Sequence, residues 1–197
     1  MRALARREKA RLARAGPVLG FWTPGDVDAM VHVATGRHGD RDGLLIRVMY
    51  AGALRVTEAL SLRPRDVGPG PVVQVRCGKG GKPRPAAIPE RLADGLLAYA
   101  HRHKLGDGDL FFPVSRTTAW RMVKRAAQAA GVDRDKARPH LLRHSGAIER
   151  LRQHGNPRAL QLHLGHTSPD TTMRYLATLQ VEEALHINQA VDPEGRR

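Results

Sequence analysis

Six side chains of this sequence stand at structurally marked places and could act on one substrate. Arg55 interrupts the apolar run Met49 to Leu54, just ahead of a helix start. Lys79 lies between glycines in a turn. His140 and Arg143 are three residues apart, so they share a helical face. His166 follows Gly165 at a helix exit, and Tyr175 lies among Thr171, Thr172 and Arg174. Cations gathered in this way suit a polyanion. Of the three tyrosines, Tyr50 and Tyr99 fall on apolar helical faces and read as core, whereas Tyr175 has polar neighbours. From pattern alone, Tyr175 is open to a structural or a chemical role.

Other chemistries fit less well. Gly78 to Lys82 resembles a phosphate loop, but no glycine stands five residues before Gly81, and Pro83 rather than Ser or Thr follows Lys82. His140 and His144 have the four-residue spacing of a zinc pair, yet Leu141 follows His140 where a catalytic Glu belongs, and no third ligand is evident. His163 and His166 share that weakness. No pair of carboxylates suggests a two-metal centre, so we expect no metal and no cofactor.

The elements that must carry these groups are mainly helical. Thr23-Pro24 is a cap followed by a first-turn proline, and Val27, Met30, Val31 and Ala34 recur at helical spacing. A second helix is expected over 42–53, and a short third one capped by Thr57. Val72, Val73 and Val75 read as a strand, Gly78 to Lys82 as a turn, and Pro83 to Ile88 as an edge strand, since prolines 83 and 85 remove backbone donors. Helices follow over 89–104, 117–130, 140–154, 158–164, 169–178 and 181–190, with Gly131 and Gly155-Asn156-Pro157 as stops. The expected class is mainly α with a small antiparallel β-sheet (α+β).

Composition narrows the partner. The 197 residues suit one domain with a short arm, and 33 basic against 19 acidic side chains give a net charge of +14. Duplex DNA is the favoured partner, because aromatics at 4% are too few to stack on single strands. A single cysteine, Cys77, excludes an intrachain disulfide. No apolar run approaches membrane-spanning length, and residues 1–15 lack the apolar stretch of a signal peptide, so the expected compartment is the cytoplasm. Residues 1–20 form a basic arm that either tracks phosphates or is solvated.

Five blocks carry a resemblance: Tyr50 to Leu62, Gly78 to Arg84, His140-Leu-Leu-Arg-His144, Leu164-Gly-His166 and Thr171-Thr-Met-Arg-Tyr175. In content, order and spacing they resemble the signature blocks of the tyrosine recombinases, the phage-integrase-like enzymes of DNA. The resemblance spans about residues 22 to 190. It implies a tyrosine-recombinase catalytic-domain fold over 21–197, without the N-terminal DNA-binding domain that most relatives place before it. It also implies site-specific strand exchange through a 3′-phosphotyrosine, needing neither ATP nor metal. Tyr175 would be the nucleophile, Arg55 and Arg143 the phosphate clamps, and Lys79 the general acid. His140 and His166 would attend the phosphate, with Glu58 and His144 in support. Lys82, Arg84, Arg116, Thr117, Arg121 and Arg174 are the expected DNA contacts. The implied assembly is a homotetramer on paired duplex sites that is monomeric without DNA, associated with the nucleoid. Two departures stand out: Ala53 where relatives often carry Gly, and Leu141 where they often carry Asp. A non-catalytic DNA-binding module, or a topoisomerase that reseals the same strand, are the alternatives.

Overall fold

The structure, a computed structural model, describes residues 20–36, 38–76, 83–132, 138–165, 172, 173 and 175–180. Helix α1 (Pro24–His32) opens on a reciprocal cap. Thr23 Oγ1 accepts from the Asp26 amide at 3.2 Å, and Asp26 Oδ2 accepts from the Thr23 amide at 2.8 Å. Helix α2 (Gly39–Ala51) begins earlier than the expected residue 42. Asp40 and Asp42 fill its first turn, where carboxylates oppose the helix dipole. Its Leu45, Ile46, Val48 and Met49 are fully buried, and it packs on α1 and on two later helices.

Helix α3 (Val56–Leu60) is capped by Arg55, not by Thr57 as expected. The reason is Glu58, whose Oε2 reaches back 2.8 Å to the Arg55 amide and moves the helix start two residues upstream. After a 3₁₀ turn (Pro64–Asp66) come β1 (Val72–Val75) and β2 (Arg84–Ala87). They pair antiparallel, with Val73 opposite Ala86 and Val75 opposite Arg84. Val73, Val75 and Ala86 turn into the core, so the period of two puts Arg84 on the inward face beside Ala86.

Helices α4 (Glu90–Arg102), α5 (Arg116–Ala129), α6 (Pro139–His154) and α7 (Pro157–Leu164) follow. Each lies within two residues of its expected bounds. Ser115 and Asn156 cap α5 and α7 through their side chains, and Gly155 and Gly165 end α6 and α7 with positive φ. A last helical stretch covers 175–180. Helix α6 crosses α2 so closely that a Cβ on Gly146 would stand 1.9 Å from the Tyr50 carbonyl oxygen. Two apolar clusters result. The larger joins α1 to α5 with the sheet. The smaller gathers Ala53, Ala147, Ile148, Leu151, Leu160, Leu164 and Tyr175. Among the described residues no helix is long and apolar enough to cross a membrane.

Candidate active site

One buried carboxylate organises the cations. Glu58 is fully buried, and three guanidiniums converge on it. Arg55 Nη1 donates to Oε1 at 2.7 Å. Arg84 binds as a fork, donating from Nη1 to Oε1 at 3.0 Å and from Nη2 to Oε2 at 3.1 Å. Arg143 Nη1 stands 3.5 Å from Oε2. Burial alone would raise the Glu58 pKa. The Arg84 hydrogen bonds, the Arg55 amide and the Arg84 and Arg143 charges outweigh it and hold the carboxyl below its usual range. Three positive charges against one negative leave a surplus that an anion can neutralise.

The arginines differ in what they expose. The Arg143 side chain is 2% exposed, and burial followed by the Arg55 charge lowers its pKa to about 10, which leaves it charged at neutral pH. Arg55 keeps 25% of its side chain exposed, so it is the guanidinium turned toward solvent. It lines an open cleft of about 1070 Å³ together with Arg116, Thr117, Trp120, Arg138 and His140. His140 is exposed in this cleft. The protein packed around its ring, then the Arg143 and Arg55 charges, lower its pKa and favour the neutral imidazole.

The turn that delivers Arg55 is held by three successive carbonyls. Ala51 O accepts from Arg150 Nη2, Gly52 O from His163 Nε2 at 3.0 Å, and Ala53 O from Arg143 Nη1 at 2.6 Å. Arg143 Nη2 also donates to Leu164 O at 3.0 Å. Ala53 has φ of +48°, the left-handed region where glycine is easier to place. The departure at Ala53 therefore coincides with a backbone need. His163 is pushed down to about 4, chiefly by burial and then by the Arg150 charge.

Tyr175 is 1% exposed and packs in the smaller apolar cluster. Its polar sequence neighbours do not describe its surroundings. The hydroxyl lies 2.9 Å from His144 Nδ1. The His144 ring in turn meets the His140 ring edge-to-face, with centroids 4.3 Å apart. One helix, α6, thus presents His140, Arg143 and His144 to the same region.

Of the residues singled out in the sequence, the structure brings together Arg55, Glu58, His140, Arg143, His144 and Tyr175. Lys79, Lys82, His166 and Arg174 lie outside the described residues. Arg116, Thr117 and Arg121 are exposed on α5, the first two on the cleft. Arg84, expected at DNA, gives its fork to Glu58 and its Nε to His163 O at 2.9 Å. Sequence reasoning passed over Arg150, Trp120 and the His163 contact. Trp120 is exposed one helical turn from Thr117, with Lys124 Nζ 5.1 Å over its ring. Among the described residues no three His, Cys, Asp or Glu side chains gather as a metal site.

Comparison with known proteins gives the same answer by an independent route. The tyrosine recombinase XerD of Vibrio vulnificus (strain YJ016) is 34% identical over 146 residues, which cover 68% of this chain and 48% of the relative. The chain thus spans about half the length of such curated relatives. The crystal structure of the XerH site-specific recombinase bound to palindromic difH substrate superposes with a TM-score of 0.72 at 23% identity, over 86% of this chain and 53% of that one. The catalytic domain of bacteriophage HP1 integrase gives 0.64 at 24% identity, over 89% of this chain and 98% of that domain. The fold is thus that of tyrosine-recombinase catalytic domains. Residues 21–182 match the phage integrase family, and the chain belongs to it.

Proposed function

We propose that this chain carries the strand-cutting and strand-joining centre of a site-specific DNA recombinase. Tyr175 Oη attacks a backbone phosphorus, and the bond to the 5′-oxygen breaks. The products are a 3′-phosphotyrosine and a free 5′-hydroxyl. The hydroxyl of a second strand reverses the step, so the bond energy is kept and neither ATP nor a resident metal is called for. Arg55 and Arg143 hold the non-bridging oxygens and oppose the charge that grows in the pentacoordinate state. His140 and His166 attend the same phosphate, and Lys79 protonates the leaving 5′-oxygen. Glu58 fixes the arginines. Arg84 serves here as a third anchor of Glu58 in place of a phosphate contact.

The observation that carries this reading is the position of the Tyr175 phenol. It is hydrogen-bonded to a residue next to Arg143, on the helix that also bears His140. A buried tyrosine with only a packing role has no need of that company. The substrate is duplex DNA, gripped across the cleft by Arg116, Thr117 and Arg121 and nearer the centre by Lys82 and Arg174. Strand exchange involves four strands, so four protomers assemble on paired sites and separate without DNA. The working place is the nucleoid, in the cytoplasm.

The test is a nicked suicide duplex that traps the covalent adduct. Wild-type protein forms the adduct, and Tyr175→Phe binds DNA equally but forms none. Adduct formation by the Phe variant would refute the assignment. Relaxation of a supercoiled plasmid without strand exchange would favour a topoisomerase.

A further inference from the structure

We propose that His144, assigned only a supporting place by the family resemblance, is a catalytic residue: the general base that takes the phenolic proton from Tyr175. This rests on the recombinase reading above and names a group that reading leaves unassigned. Three observations lead to it. His144 Nδ1 is 2.9 Å from Tyr175 Oη, inside the range for direct proton transfer. His140, the other imidazole on this face, opens to the cleft, while His144 is half-buried behind it with the ring edge at 4.3 Å. The two histidines therefore face different partners, His140 the side where a phosphate enters and His144 the nucleophile. Finally, Arg143 is close enough to Tyr175 for the two charges to favour each other, so the phenolate formed by proton loss is stabilised in place.

The step balances without a further reagent. The Tyr175 O–H bond breaks and its proton passes to His144 Nδ1. The oxygen lone pair forms the bond to phosphorus, and the bond to the 5′-oxygen breaks with its electron pair. That oxygen gains a proton from Lys79. In the reverse step His144 returns its proton to Tyr175 Oη. Nδ1 must start unprotonated, so the resting ring is the Nε2–H tautomer and Tyr175 donates the hydrogen bond.

The informative variant is His144→Asn, whose Oδ1 takes the place of Nδ1. It can accept the hydrogen bond and hold Tyr175, but it cannot take the proton. On the suicide duplex the adduct rate is expected to fall about 100-fold, the low end of general-base contributions, with DNA affinity unchanged. The loss is expected to persist on a duplex with sulfur at the scissile 5′ position, where the leaving group needs no proton. A rate within threefold of wild type would reduce His144 to a positioning residue and overturn the proposal. A faster rate would overturn it too, by showing that the bond is a latch. Recovery on the sulfur duplex would place His144 on the leaving-group side and would equally end it. Independently of any variant's folding, nitrogen NMR of the unaltered full chain is expected to show Nδ1 of His144 unprotonated; a proton on Nδ1 would contradict the proposal. An adduct formed by Tyr175→Phe would instead sink the underlying reading, which keeps the two failures distinct.

Discussion

The two halves of the candidate site are held by different physics. Around Glu58, three guanidiniums and a carboxylate are fixed by charge-assisted hydrogen bonds from α3, β2 and α6, and the turn before Arg55 is tied through its own carbonyls to α6 and α7. Around Tyr175, the phenol is seated among Ala147, Ile148, Leu160 and Leu164 and meets a neutral imidazole acceptor. The anion-binding half is preorganised at an electrostatic cost that Glu58 offsets. The nucleophile half is an apolar seat with a polar tip. Removing a key group from the first should therefore damage the fold, and from the second mainly the chemistry.

Glu58→Gln is the hardest blow to this contrast. Removing the buried charge leaves Arg84 and Arg143 without their counterion, and the expected loss is about 3–5 kcal/mol in denaturant unfolding. A loss under about 1 kcal/mol would mean that the arginines find other partners and that Glu58 is not the organising group.

Acid should separate the anchors by pH. His163 falls from 6.5 unfolded to about 4 folded, so between those values the unfolded chain binds more protons. Stability therefore drops as pH falls through that window, by up to about 3 kcal/mol in total. Glu58 has a lowered folded pKa, so its contribution disappears only below the usual carboxylate range. Melting temperature against pH checks this, and His163→Gln should flatten the segment between pH 6.5 and 4.

Tyr175→Phe should cost only about 1 kcal/mol, the net value of one hydrogen bond, because the ring still fills its seat. A loss comparable to that of Glu58→Gln would erase the distinction between the halves. Arg116→Ala is the mildest change. Being exposed, it should shift stability by less than about 0.5 kcal/mol, yet reduce the salt slope of DNA binding by about one.

How far these halves could be read from sequence also differs. Local signals placed the scaffold: the Thr23-Pro24 cap, the β-branched run at 72–75, and Gly155-Asn156-Pro157 between two helices all act within a few residues. The site depends on partners far apart in the chain. Arg84 meets Glu58 across 26 residues, Tyr175 meets His144 across 31, and His163 meets Gly52 across 111. Such pairs leave no periodic trace. Arg84 is the instructive case. Strand alternation put it on the same face as buried Ala86, which already pointed inward, but its closeness to the glycine turn favoured a DNA role. The cap at Arg55 was hidden in a similar way, since Glu58 at the third helical position was the signal and Thr57 the distraction.

The central claim is that the Tyr175 oxygen becomes joined to DNA beside the arginines that Glu58 holds. Its most direct test is to trap the adduct on a suicide duplex, digest the protein, and sequence the nucleotide-bearing peptide by mass spectrometry. The account predicts a 3′-phosphonucleotide on Tyr175. A nucleotide on Tyr50, Tyr99 or any non-tyrosine side chain would contradict it.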